Sequence, residues 1–344
     1  MTSKNMNNLP FLLKAVGKDY LWGGKRLNED FAKGIAMTPL AETWECSTHP
    51  DGPSVIGSGE FTGKLLSDVL KEHPEFLGSH PRTRGELPIL IKLIDAAQDL
   101  SVQVHPDDGY AFINENGALG KSEMWYVLDA REDTRLVYGF YHDMDRERLR
   151  KSLEDGTIEK YLQKVPVQKD DVFFVEAGTV HAIGAGALIA EIQQNSNLTY
   201  RLYDYERKDK NGKKRELHIE KGLAVANLKS SREPRQPMRL LRYRRGCATE
   251  LLCRCKYFQV ERMLLNTLAV KEAVLLQTGE NSFRVLLCTE GEGRISVCQE
   301  ENGNAGEDGE VLCIRFSKGD CIFIPANSTE LWLEGNAQLL QVSC

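Results

Sequence analysis

The sequence predicts a mainly β protein, and three observations carry that reading. Short segments with an apolar residue at every second position recur along the chain, each closed by Gly, Asp or Asn, which is the pattern of a β-sandwich or barrel. Helical periodicity is confined to a few windows. One β-unit also occurs twice: KDDVFFVEAGTVHAI (169–183) and KGDCIFIPANSTELW (318–332) align without a gap, matching Lys169 with Lys318, Asp171 with Asp320, Phe174 with Phe323 and Ala177 with Ala326. In the second copy Glu330 stands where the first has His181 and Asn327 where it has Gly178, and no histidine follows His218. The second copy keeps a scaffold and lacks the ligands.

Taken in order, the first helical window is GKLLSDVLKEHPEFLG (63–78). LPILIKLID (87–95) reads as a strand. SVQVHPDD (101–108) alternates so that Gln103 and His105 share the face opposite Val102 and Val104, which sets an amide beside an imidazole. Part of YAFINENGA (110–118) has helical spacing; SEMWYVLDA (122–130) and TRLVYGF (134–140) are strands; DMDRERLRKSLEDGTIEKYLQKV (143–165) reads as a helical insertion. DVFFVEA (171–177) is a strand, and a short helix is expected near HIEKGLAVAN (218–227). The basic, Pro-containing run LKSSREPRQPMRLLRYRRG (228–246) breaks the composition and reads as a linker. Two domains are therefore expected, residues 1–230 with the chemistry and 235–344 without it.

A chain of 344 residues, 41% hydrophobic, is long enough for one large core or two ordinary ones. Its 50 acidic and 44 basic residues are scattered and leave a net charge of -6, so no global field favours nucleic acid or an anionic membrane, and any phosphate site has to be local. No apolar run reaches transmembrane length and the first residues do not read as a secretory signal, so a cytoplasmic protein is expected. Nine cysteines are an odd number with irregular spacing, and Cys253-Arg-Cys255 is too tight for the usual zinc or redox motifs. They read as reduced thiols, mostly small core hydrophobes in the strands after residue 245.

The chemistry converges on three strands. Gln103 and His105 lie on one, Glu123 opens the next, and His181 follows the EAGTV turn of a third. Each histidine alone is as readily structural. Together, two imidazoles and a carboxylate with an amide or water in the remaining position suit Zn²⁺, with Fe²⁺, Mn²⁺ and Co²⁺ as lesser candidates.

The Q-V-H strand, the following Glu and the G-x-x-H turn resemble a variant of the cupin double motif. With LWGGKRL (21–27), AETWECSTHPDGPS (41–54), GKSEMWYVL (120–128) and IQQNSNLTYRLYDYER (192–207), the chain is similar to the type I phosphomannose isomerases, in their compact bacterial form. The resemblance covers residues 10–230 by motifs and the remainder by a degenerate second cupin. It implies two jelly-roll-like β-barrel domains with a small helical insertion, one Zn²⁺ per chain, and interconversion of mannose 6-phosphate and fructose 6-phosphate. Carried over by position, the zinc ligands fall on His105, Glu123 and His181, with Gln103 a fourth ligand in some members. The catalytic arginine falls on Arg201, the motif lysine on Lys121, and an acid ten positions before the arginine on Glu191. One departure is Asn197, where many relatives carry Asp; a mechanism with a base at that position does not transfer unchanged.

An aldose and a ketose interconvert when a proton moves between C1 and C2 through an enediolate, which requires a proton carrier and a group to hold the developing oxyanion. Arg201 suits the second role, against the alternative of a structural ion pair with Asp204 or Glu206. Lys121 is assigned to the sugar ring oxygen or the phosphate, and Glu191 either to proton transfer or to orienting a metal-bound imidazole. Ser101 and Lys92, on neighbouring strands, are first choices for the phosphate. His49, Trp22 and Trp44 read as structural. Two rivals remain: a mononuclear iron oxygenase, since the same ligand set is also a facial triad, and a sugar-phosphate-binding cupin without turnover. The oligomeric state is not legible.

Overall fold

The structure is a computed structural model that describes residues 8–83, 85–208, 211–236, 239–298 and 311–344. Three antiparallel sheets make up most of it. A six-stranded sheet runs in the order Val172–Val175, Glu123–Ala130, Ala187–Gln194, Ile89–Asp95, Glu42–Cys46, Val16–Lys18. A five-stranded sheet runs Tyr200–Tyr203, Val102–Val104, His181–Ala182, Arg135–Phe140, Leu162–Pro166. The third, with ten strands, gathers the strands that follow residue 241 together with Val55–Ile56 and Phe11–Lys14. The protein is thus mainly β.

The strand Phe11–Lys14 sits at the far end of the chain from its partner: it pairs antiparallel with Cys321–Ile324, Phe11 opposite Phe323. The ring of Phe323 stacks between Phe11 at 5.3 Å and Phe283 at 5.4 Å, all three buried. The same core holds Leu93, Met124 and Tyr126 from the six-stranded sheet and Val285 and Leu340 from the ten-stranded one, so one apolar interior joins both halves. Each such aromatic contributes about 1.5–3 kcal/mol by leaving water.

The repeated unit is built the same way twice. Val172–Val175 and Cys321–Ile324 are its strands. Each is entered by one turn, in which an Asp carboxylate accepts the backbone N–H three residues before it: Asp171 from Gln168 at 3.1 Å, Asp320 from Ser317 at 2.7 Å. Turn positions 170 and 319 both have positive φ, as do Gly178 and Asn327. Asn tolerates the left-handed conformation better than most residues, which is why it substitutes for Gly there.

Helices fall in the expected windows, with differences. Leu66–Glu72 and the 3₁₀ turn Pro74–Leu77 fill the first; Asp108–Asn114 is capped by Asp107, whose carboxylate accepts from the Tyr110 amide at 2.8 Å. The 143–165 window is helical only over Arg146–Glu154, capped by Asp145 and closed before Gly156, whose φ is +66. A 3₁₀ turn, Ile158–Lys160, follows, and Leu162–Pro166 is a strand paired with Arg135–Phe140. The helix Arg26–Phe31 was not expected, because six residues are too few to show a period. Ile219–Val225 is the last helix. Among the described residues no helix is long and apolar enough to cross a membrane.

Candidate active site

Two rows of side chains, one from each smaller sheet, face a single cavity, which Gln103 and Arg201 line from one and Lys92 and Glu191 from the other. In the five-stranded sheet Gln103 is the direct partner of both His181 and Arg201, so Arg201, Gln103 and His181 form one row, with His105 two residues beyond Gln103 on the same face. In the six-stranded sheet Trp44, Lys92, Glu191 and Trp125 are in register. Glu123, first residue of its strand, lies beside the second row and meets the histidines of the first. The cavity is about 250 Å³ and is lined from both rows.

His105, Glu123 and His181 bring one donor atom each to within 4.8 Å of one another, all buried. His105 Nε2 is 3.5 Å from Glu123 Oε2 and His181 Nε2 is 3.4 Å from Oε1. The Nδ1 atoms face backbone carbonyls, His105 to Leu198 at 2.8 Å and His181 to Thr179 at 2.8 Å. A carbonyl accepts only from N–H, so in each neutral ring the proton is on Nδ1 and the lone pair is on Nε2, aimed at the centre. Burial keeps the rings neutral, pushing His181 down to about 4 and His105 well below the ordinary imidazole range. Glu123 is fully buried and neither of its oxygens accepts a well-directed hydrogen bond. Burial and the neighbouring Glu191 charge raise its carboxyl above the usual range. Two lone-pair imidazoles and an unsatisfied carboxylate fit a divalent cation. The centre already draws positive charge: Lys121 Nζ lies 2.7 Å from Glu123 Oε2 and 3.1 Å from His105 Nε2. The Gln103 amide stands 3.3 Å from His181 Nε2 and offers oxygen or nitrogen on turning.

Around this centre the charges alternate. Lys92 Nζ is 3.3 Å from Glu191 and 3.6 Å from Glu42; Lys121 is 3.7 Å from Glu191. Burial alone would lower the Lys92 ammonium, but Glu42 and Glu191 raise it. Burial alone would raise Glu191, but Lys121 and Lys92 hold it low, so it is a carboxylate. Trp125 Nε1 donates to Glu191 Oε2 at 3.0 Å and Trp44 Nε1 to Glu42 Oε2 at 2.8 Å. Glu191 therefore does not orient either imidazole, a role backbone carbonyls already fill; its Oε1 accepts no hydrogen bond and it lines the cavity.

Arg201 donates from Nε to Ser101 Oγ at 3.3 Å and from Nη1 to the Glu216 carbonyl at 2.9 Å. The ion pair that the sequence allowed with Asp204 or Glu206 does not form. Asp204 binds Arg207 and Arg215, and Glu206 binds Lys214. The strand ends at Tyr203 after an irregularity between Arg201 and Tyr203, so both acids lie beyond it, where Arg207 and Arg215 take Asp204 and Lys214 takes Glu206, itself at positive φ. Among the described residues Arg201 has no carboxylate partner, and burial with the nearby Arg215 charge lowers its pKa.

All six cavity residues expected from the sequence outside the ligand set are brought together: Lys92, Ser101, Gln103, Lys121, Glu191 and Arg201. Asn197 also lines the cavity and donates to Asp51 at 2.8 Å. The sequence missed Glu42, Tyr20, Thr199 and Arg215 in the lining, and Trp22 lines the cavity as well as packing in the core. Glu42 shares its strand, ETWEC, with a second acid, Glu45, and so did not stand out; Arg215, in an irregular segment, had no signal. Trp44 is fully buried. His49 lies outside the lining, its Nδ1 accepting from the Asp51 amide at 3.1 Å.

A buried divalent-metal ligand set flanked by paired lysines and glutamates, inside antiparallel β-sheets, defines a β-sheet metalloenzyme. Residues 10–132 match the model of the phosphomannose isomerase type I catalytic domain. The chain is 38% identical over 335 residues to mannose-6-phosphate isomerase ManA of Bacillus subtilis, covering 97% of this chain and 99% of that one. It is 34% identical over 332 residues to a mannose-6-phosphate isomerase of Streptococcus mutans, covering 96% and 97%. It superposes on a crystal structure of the mannose 6-phosphate isomerase from Bacillus subtilis with a TM-score of 0.84 at 31% identity, over 97% and 99% of the two chains. The chain belongs to the type I phosphomannose isomerases.

Proposed function

We propose that the protein interconverts mannose 6-phosphate and fructose 6-phosphate through an enediolate, with one Zn²⁺ per chain held by His105, Glu123 and His181 and with Gln103 as the fourth protein donor. The carrying observation is Arg201, a guanidinium with no carboxylate partner among the described residues, in register with Gln103 and His181. When bound, the metal supplies a fixed positive charge that polarises a sugar oxygen. Arg201 lies one strand away from Gln103 and forks onto the oxyanion that develops as the C2 proton leaves. Glu191 carries the proton through Oε1, the carboxylate oxygen that faces Lys92 and Lys121 without accepting a hydrogen bond from either. Lys121, between Glu191 and Glu123, donates to the ring oxygen; as it turns to the substrate it leaves Glu191 more basic. Ser101 and Lys92 contact the substrate, Ser101 through a hydroxyl already oriented by Arg201. Lys92 also holds Glu191 and Glu42 in place.

The same reading takes residues 1–230 and 235–344 as two cupin-type barrels, the second without a metal site; the twice-built Asp turn and strand support it. The described cysteines are all free thiols, which fits a cytoplasmic protein. The test is isomerisation of both sugar phosphates by metal-analysed protein, with and without chelator. Chelation is expected to abolish turnover and Zn²⁺ to restore it. Binding without interconversion would sink the reading.

A further inference from the structure

The cavity is electrically lopsided. At the ligand end the two lysines are matched by carboxylates: Lys92 by Glu42 and Glu191, Lys121 by Glu123 and Glu191. At the other end Arg207 and Arg215 bind Asp204, and Arg201 beside them binds no carboxylate among the described residues. Arg207 is spent on structure: it donates to Asp204 and to the Asp99 carbonyl. Arg215 holds Asp204 through Nε at 2.8 Å and Nη2 at 2.6 Å, which fixes the plane of its guanidinium; Nη1 has no hydrogen-bond partner among the described residues. Both Arg201 and Arg215 line the cavity, and the hydroxyls of Ser101 and Thr199 line it beside them. Even with Arg201 turned to the reacting oxygens, Arg207 and Arg215 outweigh Asp204, and the net positive charge with fixed donors and hydroxyls matches an anionic, tetrahedral oxyanion group.

We propose that Arg215, clamped by Asp204, forms the subsite for the phosphate group of the substrate, at the end of the cavity away from the metal ligands. This rests on the sugar-phosphate reading above and corrects its first choice for the phosphate: Lys92 has no charge to spare, because two carboxylates already share it. Lys92 is left to the sugar hydroxyls. Arg215 recognises the phosphate, and Asp204 is a positioning residue that acts through it.

Steady-state kinetics on Arg215→Ala and Arg215→Lys, with inorganic phosphate as a competitive inhibitor, test the assignment. Arg215→Ala is expected to raise the KM for mannose 6-phosphate by about 10- to 100-fold and the Ki for phosphate in parallel, with kcat changed less than about threefold. Arg215→Lys keeps a charge on Asp204 without the planar fork and is expected to fall between. Asp204→Asn is expected to raise KM in the same direction, whereas a purely structural role would change the melting temperature alone. Unchanged KM and phosphate Ki in either folded Arg215 variant overturn the proposal, as does a fall in kcat at constant KM. Direct phosphate binding by the wild type, measured by calorimetry, needs no turnover. Wild-type protein that binds phosphate through Arg215 without isomerising the sugar would refute the isomerase reading and leave the subsite standing.

Discussion

Gln103 is the direct cross-strand partner of Arg201 on one side and of His181 on the other. Adjacent strands lie about 4.8 Å apart, so the backbone of the arginine is about 10 Å from that of the candidate ligand His181, and a sheet rather than a loop sets the interval. Replacing Arg201 by Ala is expected to lower turnover by about 10²- to 10³-fold at unchanged metal content, with Lys restoring only part of the loss. Because Arg201 makes no ion pair, its melting temperature should stay near wild type. Early melting with normal turnover would remove it from the reaction.

Substituting His105 or His181 by Ala removes one of the three convergent donors. Metal analysis after dialysis should find well under one equivalent of zinc in either variant. A double variant that retains a full equivalent would place the metal elsewhere.

Lys92→Met should strand two buried carboxylates, Glu42 and Glu191, beside each other. Removing one partner of a buried ionic cluster costs about 3–5 kcal/mol, against far less for replacing the whole cluster by apolar groups. Urea unfolding of the metal-loaded variant measures it. A loss below about 1 kcal/mol would mean that the lysine is not the counterion that the distances indicate.

Asp204 gives a pH signature. Burial alone would raise its carboxyl, but Arg215 and Arg207 bring it below the usual range. The folded value is therefore lower than the unfolded value of about 3.9, so its contribution to stability is complete above that pH and is lost as pH falls through the folded value. Asp204→Asn should be less stable than wild type near neutrality, and the difference should shrink as pH drops under about 4. Parallel stability curves across that range would argue against the pairing.

The alternation of residues 101–105 already set Gln103 and His105 on one face, and the G-x-x-H turn marked His181, so the buried cluster of these histidines with Glu123 was legible. The strands of the six-stranded sheet were visible too, but not their register. The match of Lys92 to Glu191 and Trp44 is a property of neighbouring strands, and without it Lys92 looked like a free cation. Arg215 left no trace because an irregular segment has no period. The ion-pair alternative for Arg201 came from counting positions along the chain, and it failed because both acids lie beyond the end of that strand, where Arg207, Arg215 and Lys214 take them.

Phe323→Ala should destabilise the whole chain by about 3–5 kcal/mol, because its ring joins the stack of Phe11 and Phe283 in the shared interior. Loss of the metal site and of the C-terminal sheet should then coincide in one transition; two separated transitions would contradict the single core.

The N-terminal strand sets a condition on synthesis at the ribosome. The Asn8 side chain donates to the Ala326 carbonyl, a bond between residues 318 positions apart, and Phe11 pairs with Phe323 beside it. At about 5–20 residues per second, roughly a quarter of a minute to a minute passes between the emergence of that first strand and of its partner. Through that interval Leu13 and Lys14 can pair only with the two-residue strand Val55–Ile56, and Phe11 has no cross-strand partner. The edge that receives Cys321–Ile324 stays open until that strand emerges, so the yield in the cell should depend on holdase chaperones more than the stability of the finished protein suggests.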